Sequence, residues 1–150
     1  MVDLELSQLT LSNCVLCEKI ANLSDPELLG SRGDLFYFRG PFRDKWPGHL
    51  TLIWCHHVEE MSDLTPIEWA HVSKEFIKAE LAIRSFVGVS RINFVKFGNV
   101  CHHLHWHLIP RYDSEIYQDK SPWELLDVDM LHQSPVPADP YSVFISAMQL

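Results

Sequence analysis

The sequence predicts an α+β domain in which one long helix packs on an antiparallel sheet. Three observations predict it. Histidine and apolar residues alternate strictly from His103 to Ile109. A capped, amphipathic run begins at Thr65. Short β-rich runs elsewhere are bounded by Gly and Pro. A chain of 150 residues, 47% hydrophobic and 21% charged, suits a single domain over 1–150 with one core.

The stretch to about Asn22 contains Cys14 and Cys17 in a C-x-x-C, a pattern read in a reduced compartment as half a metal site or a redox pair. A turn-rich loop follows, Ser24-Asp25-Pro26 and then Gly30-Ser31-Arg32-Gly33-Asp34. Leu35 to Arg39 reads as a strand ended by Gly40-Pro41. After the Pro47-Gly48 turn, His49 to Cys55 has the length and composition of a buried strand. Cys55 and Cys101 sit in apolar, strand-like runs and are expected to fill core.

Thr65-Pro66-Ile67-Glu68 combines a cap residue, Pro at the first helical position and a Glu that closes a capping box. Trp69, Val72, Phe76, Ala79, Ile83 and Phe86 then form one apolar stripe, with Gly88 the expected terminator. Strands are expected at Arg91 to Phe97 and at about His103 to Ile109, paired antiparallel across Gly98-Asn99. Pro122 to Leu131 reads as a short helix, and Ser134 to Pro140 as an extended arm.

Composition limits the function. The net charge of -8, with 12 Lys and Arg, argues against broad nucleic-acid binding, which draws its affinity from basic contacts to phosphates. A small phosphorylated ligand needs only a few donors and stays open. No apolar run approaches the roughly 18 residues of a membrane span. The first residues carry acids and no early basic residue, unlike a secretory signal. A soluble, cytoplasmic protein without membrane association is expected.

Seven of the nine histidines fall between His49 and His57 or between His102 and His107. On a strand, His103, His105 and His107 share one face and Leu104, Trp106 and Leu108 the other. Three readings of that face stand: a polar surface rich in histidine, a metal site completed from elsewhere, or covalent catalysis by one imidazole whose neighbours hold a phosphate.

The segment His103-Leu104-His105-Trp106-His107-Leu108-Ile109 resembles the His-φ-His-φ-His-φ-φ motif of the histidine triad (HIT) family, where φ is apolar. Gly98-Asn99-Val100, Pro47-Gly48-His49-Leu50, the trailing His57-Val58 and the C-x-x-C are similar to further family features. The resemblance covers a core of about residues 14 to 111 and leaves 112–150 as a C-terminal extension. It implies a sheet of about five strands under the helix. It also implies a homodimer and cleavage of a purine nucleotide at its α-phosphate, with no organic cofactor.

By that resemblance His105 is the nucleophile, and a nucleotidyl-histidine is hydrolysed to a mononucleotide. His107 and Asn99, helped by backbone N–H groups near Asn99 to Cys101, hold the phosphoryl oxygens. His49 and His103 face the substrate. Candidate substrates are dinucleoside polyphosphates, nucleoside phosphoramidates and aminoacyl-adenylates. His107 stands where the nucleotidyltransferase branch has Gln, which implies hydrolysis or nonspecific nucleotidyl transfer. A structural zinc held by Cys14, Cys17, His57 and His103 is implied as well.

Two positions depart from the family. His102 replaces the Pro that usually precedes the triad, and Pro41 replaces the Asp or Asn that holds the ribose, for which Asp44 is the substitute. Leu35 and Phe38 are candidates to bracket the base, against their ordinary reading as core. The rival functions are a nucleotide-binding regulator with incidental catalysis and a metallohydrolase using the histidines as ligands.

Overall fold

A computed structural model describes residues 13–129 and 137–150. Five strands form one antiparallel sheet: β1 (Leu28–Arg32), β2 (Leu35–Arg39), β3 (Leu50–Trp54), β4 (Val89–Val95) and β5 (His105–Tyr112), in the order β1-β2-β3-β5-β4. Among the described residues three α-helices accompany it, α1 (Val15–Ala21), α2 (Pro66–Arg84) and α3 (Pro140–Met148). Among the described residues no helix is long and apolar enough to cross a membrane.

Strand alternation divides the sheet chemically. Leu35, Tyr37, Leu50, Leu52, Trp54, Leu104, Trp106 and Leu108 enter the main core beneath Val72, Ala79, Ile83 and Phe86 of α2. The opposite face carries Phe38, Ile53 and Cys55, which pack with Ile20 of α1. At its far end Trp46, Ile109 and Leu125 form a third cluster. Leu35 and Phe38 are wholly buried core residues.

The expected α2 begins at its Thr65 cap, with both halves of the capping box formed. It ends at Ser85, three residues before Gly88. Trp69 belongs to the expected stripe yet remains partly exposed.

Three elements are absent from the sequence reading, and β5 begins at His105, two residues later than expected. β1 occupies part of the stretch read as a loop: Leu28 and Gly30 to Arg32 pair with β2 across a bulge. Gly33 turns that hairpin with φ +58°, and a side chain there would collide with His71. α1 also went unread; the Cys14 sulfur accepts from the Cys17 N–H and caps it. The third is α3, capped by Asp139 with Pro140 in its first turn. This repeats the Thr65-Pro66 signal, hidden within a proline-rich run. Tyr141, Phe144 and Met148 complete the main core, so the C-terminal extension contributes to the fold.

Pro122–Leu125 forms a single 3-10 turn. Leu126 to Asp129 are described and not helical, whereas the last two residues of the expected helix and 134–136 of the expected extended arm lie outside the described residues, and Pro140 at the arm's end opens α3. Cys101 does not fill core: it lies half-buried in the loop before β5.

Candidate functional site

β5 opens on His105, and its pairing with β3 sets His107 opposite Thr51 and His105 opposite Ile53. His105 and His107 therefore lie on the face away from the main core, with ring centroids 5.4 Å apart and nearly perpendicular. They line a cleft of about 320 Å³ with Asn99 and Val100 of the β4–β5 loop and the aromatic pair Phe97 and Trp123. Phe97 and Trp123 meet edge to face at 4.1 Å.

Hydrogen bonds set the state of each imidazole. His105 Nδ1 lies 2.6 Å from the His103 carbonyl oxygen, so Nδ1–H donates and Nε2 keeps its lone pair. The Phe42 N–H donates to His49 Nδ1 at 3.1 Å, so the His49 proton is on Nε2. That Nε2 lies 3.0 Å from His107 Nδ1 and donates to it, which places the His107 proton on its own Nε2. Thr51 Oγ1, at 3.4 Å, also faces His107 Nδ1. One imidazole thus offers a lone pair and its neighbour an N–H.

His49 is wholly buried, so it stands behind His107 as a positioning residue and does not face the cleft as expected. Its ring stacks on Phe42 at 5.7 Å. Gly40 makes room for it, since a Cβ there would lie 2.3 Å from the ring. Asp44 is exposed in the turn before β3, outside the residues that line the cleft. Thr51, Phe97 and Trp123 escaped the sequence reading. Thr51 was detectable, because it lies two residues from His49 on one strand face.

Burial, reinforced by His105, holds the His107 imidazole down at about pKa 4; burial, then His107 and Arg43, holds His49 at about 3. In the unfolded chain both titrate near pKa 6.5. Between pH 6.5 and about 4 the unfolded chain therefore binds protons that the folded chain does not. Stability is full above that window and is expected to fall as pH drops through it, by up to about 1.4 kcal/mol per pH unit for each histidine. Urea midpoints measured from pH 7 to 4.5 check this; His107→Asn should flatten the slope, and an unchanged slope would exclude these two residues as its source.

His103 belongs to a different group. Its Nε2–H donates to the Trp54 carbonyl at 2.6 Å, which directs Nδ1 towards Cys14 Sγ at 3.5 Å and Cys17 Sγ at 3.4 Å. His57 Nδ1 lies 3.3 Å from Cys17 Sγ. The four candidate ligand atoms all fall within 4.8 Å of one another. Two sulfurs and two imidazole nitrogens at these separations match the edges of a tetrahedron with about 2.3 Å metal–sulfur and about 2.0 Å metal–nitrogen bonds. The ring fixed by a backbone carbonyl is the usual support of a histidine ligand. This donor set fits a structural zinc ion. His103, at 1% exposure, cannot also face a substrate in this arrangement.

The fold and cleft define an α+β protein whose strand β5, next to the β4 edge of the sheet, presents His105 and His107 to one cleft. The HIT domain family model matches residues 34–114, and the chain belongs to the histidine triad family. It is 32% identical over 107 residues to an AP-4-A phosphorylase of Mycobacterium tuberculosis, an alignment covering 65% of this chain and 53% of that protein. The chain thus spans about half the length of the curated relatives it matches.

Among solved structures, a histidine triad protein from Sinorhizobium meliloti superposes with a TM-score of 0.65 at 22% identity, over 92% of this chain and 96% of that one. A HIT family protein from Bacillus anthracis gives 0.59 at 25% identity, over 69% and 76%. A Zn-bound histidine triad family protein from Mycobacterium smegmatis gives 0.60 at 16% identity, over 91% and 94%.

Proposed function

We propose that this protein is a nucleotide hydrolase or nucleotidyl transferase acting at the α-phosphate of a purine nucleotide through His105. The observation that carries the reading is the His105 Nδ1 contact to the His103 carbonyl, which leaves Nε2 unshared beside the cleft. Nε2 attacks phosphorus and the bond to the leaving group breaks. The positive charge gained by the imidazole is shared with the His103 carbonyl through Nδ1–H. His107 Nε2–H and the Asn99 amide stabilise the phosphoryl oxygens, the main requirement of phosphoryl transfer. Water then attacks phosphorus, releases the mononucleotide and a proton, and restores neutral His105. The mycobacterial relative named AP-4-A phosphorylase supports nucleotide chemistry of this kind.

Phe97 and Trp123, each about two-fifths exposed, offer an aromatic surface on which a nucleobase or leaving group can stack. The test is intact mass after rapid acid-free quenching with an adenosine phosphoramidate or dinucleoside tetraphosphate. One added AMP on the protein is expected, together with released AMP; turnover without any adduct on His105 across the time course would overturn the covalent route. The metallohydrolase alternative has less support. Among the described residues, the groups close enough to share an ion include neither His105 nor His107.

The Cys14–Cys17–His57–His103 set is proposed to hold structural zinc, a reading supported by its geometry and by the Zn-bound mycobacterial neighbour. Bound there, zinc crosslinks α1, the turn after β3 and the entry to β5. Chelation is expected to lower stability by about 2.7 kcal/mol relative to zinc at a hundredfold excess over Kd. That corresponds to a Tm loss of roughly 5–10 °C for a chain of this size. An unchanged melting curve after stripping would exclude the role.

A second copy of the chain is the proposed partner. β4 is an edge strand, and beside it Trp69, Ile77 and Phe94 are exposed around a groove reaching Phe76 and Trp106. An open edge with apolar flanks needs cover. Light scattering is expected to give a dimer mass that Ile77→Glu reduces to the monomer; a monomeric parent protein would exclude it.

A further inference from the structure

Beyond β2 and β3 the chain brings together a second donor set. The Leu35–Trp54 pair ends the ladder, and the next facing pair is Asp34 and Cys55, joined by the Cys55 N–H donating to the Asp34 carbonyl at 2.8 Å. His56 follows. Its neighbour His57 turns to Cys17, whereas the His56 ring packs edge-on against Trp54 and directs Nε2 to within 3.9 Å of the Asp34 carboxylate. We propose that Asp34, Cys55 and His56 form a second metal site, an open three-ligand site for a divalent transition ion such as zinc or cobalt.

Four features carry it. One ligand atom from each residue lies within 4.8 Å of the other two. The His56 ring makes no hydrogen bond to Asp34, since 3.9 Å is too long for one, and its buried Nδ1 has no hydrogen-bond partner among the described residues. Cys55 is buried behind, in the cluster of Ile20, Phe38 and Ile53, while the Asp34 side chain is 56% exposed. The site is therefore closed at the sulfur and open at the carboxylate, where water can complete a four-coordinate ion. Finally, one thiolate, one imidazole and one carboxylate are the mixed donors that zinc and cobalt accept.

Ligation replaces the S–H bond by a sulfur–metal bond and releases one proton to solvent. The site shares no residue with the Cys14–Cys17–His57–His103 cluster, and its occupancy is independent of the proposed enzymology.

Metal-free full-length protein titrated with cobalt(II) is the test, read by thiolate-to-cobalt absorption and by native mass. Two equivalents per chain are expected. The second should show the charge-transfer intensity of a single thiolate, lost in Cys55→Ser. Asp34→Asn, at an exposed side chain, and His56→Gln should each weaken the second equivalent by more than about tenfold, since removing mere supporting partners of a ligand already costs that much. A single equivalent in the parent protein that depends on Cys14 and Cys17 and not on Cys55 overturns the proposal. So does a second equivalent that survives all three substitutions or is lost in Cys101→Ser instead. A Cys55-dependent equivalent without a Cys14- and Cys17-dependent one would uphold it and overturn the structural-zinc reading alone.

Discussion

His105→Ala is expected to reduce turnover of an adenosine phosphoramidate by on the order of 10⁶-fold, the scale on which loss of a covalent nucleophile is felt. AMP affinity should change little, because His107, Asn99 and the aromatic pair remain in the cleft. His103 also remains in its own hydrogen bond to Trp54, so the fold should survive. Rapid-quench kinetics together with calorimetric AMP binding separate the two effects. Activity within tenfold of the parent protein would remove His105 from the chemistry. Lost activity accompanied by lost AMP binding would instead mark it as a binding residue. His105→Asn should resemble the Ala variant, because an amide can occupy the space but cannot form a nucleotidyl adduct.

Arg111→Met is expected to cost about 3–5 kcal/mol of stability, the effect of breaking a buried ion pair and stranding one charge. Arg111 is 2% exposed, and its Nε donates to Glu115 at 2.8 Å. Its remaining donors reach Asn93 Oδ1 and the carbonyls of Lys120 and Tyr117. Glu115, itself buried, also accepts from the Trp46 indole. This network clamps the chain after β5 and so seats Trp123 against Phe97 at the cleft. A native domain has only about 5–15 kcal/mol in total, so a loss of this size should be plain in urea unfolding. Adding Glu115→Gln should recover much of it by removing the stranded charge. A loss below about 1 kcal/mol for Arg111→Met would show that the pair is dispensable to the fold.

Neither Arg111 nor Glu115 announces this role in the sequence. An i, i+4 charged pair is ordinary surface composition, and only the path of the chain from β5 to Trp123 closes over it. Cys14 and Cys17 show the opposite case: their spacing reads as half a metal site or a redox pair, but the His103 ring that joins them is aimed by the Trp54 carbonyl, a backbone group without a sequence signal. His49 was legible as part of a site and misplaced within it. Its residue type and strand position point to the cleft, while its burial behind His107 depends on the space left by Gly40. Asp44 shows the limit of substitution by proximity in sequence, since the turn leaves it in solvent. α3 carried its Asp139-Pro140 cap openly, yet Pro135 and Pro137 just before it masked it.

By itself the sequence determined the α+β class, the capped helix and the face shared by His105 and His107, because helix caps and the two-residue strand period are local properties of the backbone. The tertiary structure decided which nitrogen of each imidazole is free, which histidine leaves the triad for the cysteines, and what walls the cleft. Those outcomes depend on carbonyls, neighbouring rings and burial supplied by residues distant in the chain. A hydrogen bond that sets a tautomer exists only once folding has brought its two ends together.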